Sequence, residues 1–137
     1  MMWSGWRRVA VIVLLLGCFP GCSLPSSSKA PPLTAAAARH TLDSWNSGFC
    51  KVVDFYGFYL SGENPANQDA YVLIANPNDK AQKPVIYMAR FQLLTLPEGQ
   101  QRWFLTSLTT HSSGLSRRLG WDNLMIQVKA PPPAPAK

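Results

Sequence analysis

The sequence is poor in the side chains that carry acid–base and metal chemistry. Its 137 residues include 7 acids, 2 histidines and 3 cysteines. Only two of the acids are glutamates, Glu63 and Glu98, and each lies near a glycine in a turn-like context. Two carboxylates that share acid and base work must converge in a cleft, which these contexts do not suggest. Asp54 is the one acid set among apolar residues of a strand-like run, and alternation turns it toward water beside Tyr56. His40 and His111 are far apart, and neither has a cysteine near it, so no zinc-type spacing is present. There is no G-x-S-x-G elbow and no glycine-rich phosphate loop. The S-x-x-K letters at Ser26 and Lys29 fall in a Ser/Pro stretch. The sequence therefore predicts no catalytic residues, no enzyme, no cofactor and no metal site.

Strong charge is also missing. The net charge is +6, and without Arg7 and Arg8 it falls to +4. The basic residues are scattered, and beyond Arg8 the only adjacent pair is Arg117–Arg118. That pattern predicts a solvated surface and no nucleic-acid partner. Long apolar runs are missing too. The longest, Val9 to Leu16, has 8 residues. At 1.5 Å per residue a helix of that length spans about 12 Å, far short of the roughly 30 Å bilayer core. Arg7 and Arg8 precede the run and small residues follow it, which is the order of a secretory signal peptide.

The signal leads into "LLGCFPGC". Leu15, Leu16, Gly17 and Cys18 resemble the lipobox of bacterial lipoproteins. The resemblance covers the first 22 residues and names a class rather than a family within it. It implies that the Cys18 thiol receives a diacylglycerol, that the chain is cut before it, and that the new amino end takes a further fatty chain such as palmitate. Several acyl chains hold a protein on a membrane stably, where one would not. Phe19-Pro20-Gly21-Cys22 offers the alternative anchor, Cys22. The residue after either cysteine, Phe19 or Ser23, is not Asp, the residue that tends to retain such proteins in the inner membrane. The resemblance thus implies an outer-membrane protein facing the periplasm. Acylation at Cys18 would leave Cys22 and Cys50 able to form a disulfide in an oxidising compartment. Acylation at Cys22 would leave Cys50 alone, a small buried side chain among Phe49, Val52 and Val53.

The segments follow from composition. Residues 1–17 form the signal, or 1–21 if Cys22 is the anchor. Residues 18–32 form a Ser/Pro linker with too little apolar area to fold. Residues 33–129 form one globular domain, and 130–137, APPPAPAK, a polyproline-like disordered tail. Apolar residues at 35, 38, 42, 45 and 49 predict a helix over about 34–47, with His40 off its apolar stripe. Strands are predicted at 51–60, 70–75, 84–96 and 101–110, the last two joined through Pro97-Glu98-Gly99. Residues 112–120 predict a short helical turn. Leu124, Ile126 and Val128 alternate with Met125, Gln127 and Lys129 in a final strand. The fold class is α+β, one helix followed by about five mostly antiparallel strands, with a β-sandwich as the alternative.

Aromatic residues are what the domain has in abundance. "DFYGFYL" and "RWFL" place large side chains on both faces of a strand. Where one face alone is core, the other offers Tyr56, Tyr59, Arg102 and Trp103 to a partner. Together these features predict a membrane-tethered protein of structural or assembly role. It would dock onto a larger envelope complex such as a secretion, conjugation or pilus apparatus. A glycan- or lipid-binding module is the alternative, which leaves a small-molecule ligand open, and an envelope inhibitor or immunity protein is a weaker one.

Overall fold

The computed structural model describes residues 29–60, 62–111 and 118–136. The signal segment, Cys18, Cys22 and most of the expected 112–120 turn lie outside them. Helix α1 runs from Ala35 to Trp45. It starts where Thr34, in extended conformation, accepts a hydrogen bond from the Ala37 amide at 3.1 Å. Such a cap satisfies one of the amides that a first turn leaves without a partner. The helix ends at Asn46, whose carbonyl accepts from the amides of Phe49 and Cys50 and turns the chain into the sheet.

The strands are β1 (Lys51–Leu60), β2 (Asn67–Ala75), β3 (Val85–Thr95), β4 (Gln101–His111), β5 (Arg118–Trp121) and β6 (Ile126–Gln127). They form one antiparallel sheet in the order β1-β2-β3-β4-β5, with β6 also paired to β4. Among the described residues the fold is α+β, an open sheet with one helix. β5 and β6 share the outer edge of β4, at Leu108–His111 and at Phe104–Leu105.

The helix lies on one face of the sheet. Leu42 and Ala38 meet Val52, Val72, Phe91, Leu105 and Leu108 in the core. Trp45 packs edge-on against Trp121 at 5.4 Å. Three side-chain bonds fix this docking. Asp43 accepts from the Val52 amide at 2.7 Å, and Arg39 donates to the Val52 carbonyl at 2.8 Å. Thr41 accepts from the Lys129 amide at 3.1 Å while donating to the Ala37 carbonyl. The first two also occupy backbone groups at the start of the sheet's outer strand, where open groups invite pairing.

Two expectations need correction. Arg118–Gly120 belongs to β5, not to a helical turn. Gly120 takes φ +133, and a Cβ there would stand 2.1 Å from the Leu108 carbonyl oxygen. Glycine alone allows β5 to close on β4 at that point. The second correction is Trp103. It is 8% exposed and belongs to the core under the helix, not to a partner surface. It stands opposite Leu93 on the helix-covered face of the sheet. The final alternation holds, since Leu124, Ile126 and Val128 pack against the core.

Irregularities in the sheet decide which side chains face which way. The register of β1 slips between Phe55 and Phe58. Three steps along β1 are thereby matched by two along β2, with Gly57 at φ +111. The extra residue puts both Phe55 and Phe58 on the core side, with ring centroids 5.2 Å apart. A further slip, between Arg90 and Phe91, sets Ser107 and Leu105 opposite consecutive residues of β3.

Candidate functional site

Register places a cross-strand row on the face away from the helix. Tyr59 of β1 stands opposite Asp69, Asp69 opposite Arg90, and Arg90 opposite Ser107. Arg90 donates from Nε and Nη2 to the two carboxylate oxygens of Asp69, at 2.9 and 3.0 Å. This two-pronged geometry is the strong form of a charge-assisted bond. It holds the guanidinium above its ordinary pKa, first through the Asp69 bond, with the Asp122 charge adding to it.

Beside that row, Tyr71 stands opposite Met88 and Leu73 opposite Ile86. Tyr59, Tyr71 and Ile86 are 52%, 41% and 51% exposed. Tyr59 and Tyr71 touch edge to face at 5.3 Å. Exposed aromatics in contact on a sheet face form a patch, not scattered surface residues. Among the described residues no helix packs on it.

The four partner-binding residues expected from sequence are not brought together. Tyr56 and Tyr59 are exposed on β1. Arg102 and Trp103 lie on β4, with β2 and β3 between. Arg102 bonds to the Gln101 carbonyl and to Gln100. With the residual edge of Trp103 it lines a groove of about 270 Å³ beneath Pro31, Pro32 and Pro131. Sequence reasoning missed Tyr71, Ile86 and the Asp69–Arg90 pair. No signal marked the pair, which is created by the β2–β3 register.

Two hollows flank these features. One, of about 460 Å³, is lined by Arg90, Gln92, Thr106, Ser107, Asp122 and Asn123. The other, of about 260 Å³, lies where the turn after α1 meets β3 and β5, lined by Phe49, Asn76, Gln82, Tyr87 and Trp121. Burial, then the nearby Cys50, raises the Tyr87 phenol above its ordinary pKa and keeps its proton in place. Cys50 itself is buried, and its thiol is pushed up to about 11 by burial first and by Asp43 second. Its expected disulfide partner, Cys22, lies outside the described residues.

Among the described residues, no group of three or more His, Cys, Asp or Glu converges as a metal site would require. No described helix is long and apolar enough to cross a membrane. Comparison with family models, curated proteins and solved structures returned no match for the chain.

Proposed function

We propose that the chain is a lipid-anchored protein of the outer membrane, facing the periplasm, with a structural role in assembling a larger envelope complex. Cys18 is the anchor in this reading and the Ser/Pro linker lifts the domain from the lipid surface. The domain then presents the Tyr59–Tyr71–Ile86 patch to a protein partner.

One observation carries the docking part: the helix buries one face of the sheet, while the other keeps large aromatic and aliphatic side chains in water. Exposed aromatic contact area of this kind is characteristic of binding surfaces. The chemistry of the patch narrows the partner. Its exposed side chains, Tyr59, Tyr71 and Ile86, carry no charge, which gives it little attraction for a strongly charged polymer. The partner is an envelope protein offering a neutral, largely apolar surface. The scarcity of convergent acid, base and nucleophile groups favours a protein that is not an enzyme. A secretion, conjugation or pilus apparatus would supply such a partner.

The anchor is tested by mass spectrometry of the mature amino end from membranes. The expected species begins at Cys18 and carries diacylglycerol and an amide-linked acyl chain. A mature chain that begins elsewhere, or an unacylated Cys18, contradicts this part of the proposal. The glycan-binding reading has an observation of its own, the aromatic hollow beside Trp121.

A further inference from the structure

The hollow between Phe49, Tyr87 and Trp121 differs in chemistry from the docking face. Among the described residues its lining holds no charged side chain: Phe49, Tyr87 and Trp121 are aromatic, Ile74 and Val85 apolar, and Asn76 and Gln82 amides. It is open to solvent, and Phe49 at its rim is 53% exposed. Asn76 accepts from the Asn78 amide through its Oδ1 at 2.9 Å, a bond that does not use the hydrogens of its Nδ2. Gln82 is exposed in the β2–β3 connection. Trp121 is held from two sides, edge-on by Trp45 at 5.4 Å and by Tyr87 at 6.4 Å. Its ring is therefore a fixed wall, not a mobile one.

From this combination we infer that the hollow is a subsite for a neutral sugar unit, a hexose or N-acetylhexosamine within a longer glycan. A pyranose ring has an apolar C–H face and a hydroxyl rim. The apolar face packs on aromatic rings, and the hydroxyls pair with amides that both donate and accept. Among the described lining residues an anionic ligand finds no cation and a cation finds no carboxylate. The volume of about 260 Å³ takes one sugar unit, with the rest of a chain leaving across Phe49. An extended peptide would instead use backbone groups at a strand edge, whereas this lining offers side chains. The inference gives the glycan-binding reading a definite site. It does not rest on the docking proposal, because the hollow borders the helix-covered side and shares no residue with the Tyr59–Tyr71–Ile86 patch.

The test is an NMR titration of the full mature chain in micelles of a non-glycosidic detergent. The probes are chitotetraose and maltotetraose, with hexanol as an apolar control. The expected result is a saturable shift of the Trp121 indole N–H, with the Asn76 and Gln82 side-chain amides, for at least one of the sugars. Phe49→Ala should weaken that binding roughly five- to tenfold. Gln82→Ala should weaken it in the same direction, while Tyr71→Ser leaves it unchanged. Phe49 and Gln82 are exposed, so neither variant threatens the fold. The inference is overturned if neither sugar moves these signals at millimolar concentration. It is also overturned if hexanol moves them as effectively as sugar, or if Phe49→Ala binds sugar as the parent does.

Discussion

Arg90 and Asp69 face each other across β2 and β3, joined through both carboxylate oxygens at 2.9 and 3.0 Å. The Asp69 side chain is nearly buried while Arg90 keeps about a third of its own in water. The pair is therefore worth less than a fully buried one and more than a surface contact. Asp69→Asn should destabilise the domain by about 1–2 kcal/mol, and Arg90→Met by a similar amount. The double variant should lose less than the sum, since neither charge is then left behind. Denaturant melts of the four proteins measure that coupling.

Gly120 of β5 stands opposite Thr109 of β4, where only glycine fits. Its φ of +133 and the 2.1 Å approach of any Cβ to the Leu108 carbonyl act together. Gly120→Ala should destabilise by about 2–4 kcal/mol through backbone strain and forced displacement. The change should also loosen Trp121 from Trp45. Near-ultraviolet circular dichroism of the folded variant would report that loosening as a weakened tryptophan signal.

Thr109 makes the opposite prediction. It is buried, and among the described residues its hydroxyl has no hydrogen-bond partner. A buried hydroxyl without a partner carries its desolvation cost uncompensated. Thr109→Val keeps the shape and removes that group. Stability should stay level or rise by about 1 kcal/mol, read from thermal melts.

Cys50 gives a pH signature in the reduced protein. Its ordinary thiol value is 9.0 and burial pushes the folded value up to about 11. As pH rises, the unfolded chain releases this proton first. The folded state therefore keeps its full advantage below pH 9 and loses it progressively toward pH 11, by about 2–3 kcal/mol at most. Cys50→Ala should flatten that decline. For the same reason a thiol reagent at pH 8 should modify Cys50 only after unfolding.

Much of the architecture was legible from short-range signals. Pro31 and Pro32, the alanine run and the spacing of Leu42 and Trp45 marked the helix within two residues of its observed ends. β1, β3 and β4 fell where β-branched and aromatic runs met turn residues, and Pro97-Glu98-Gly99 joined β3 to β4 as expected. What stayed hidden depends on non-local matching. Simple alternation puts Phe55 and Phe58 on opposite faces, and only the slip at Tyr56–Gly57 brings both inward. Nothing in "RWFL" says which face the helix will cover, so the burial of Trp103 is not legible there. Asp69 and Arg90 are 21 residues apart, and their contact exists only in the realised β2–β3 register.

The uncovered face of the sheet is the proposed docking surface. Its most direct test is site-specific photo-crosslinking in the native envelope, with the probe at Tyr71 or Ile86 and a control probe at Ser44 on the exposed side of α1. One discrete crosslinked envelope protein is expected from Tyr71 and from Ile86, none from Ser44, and the product should be lost when Tyr59 is changed to Ser. Equal crosslinking from Ser44, or no product from either face position while the protein remains folded and membrane-bound, would contradict that docking surface.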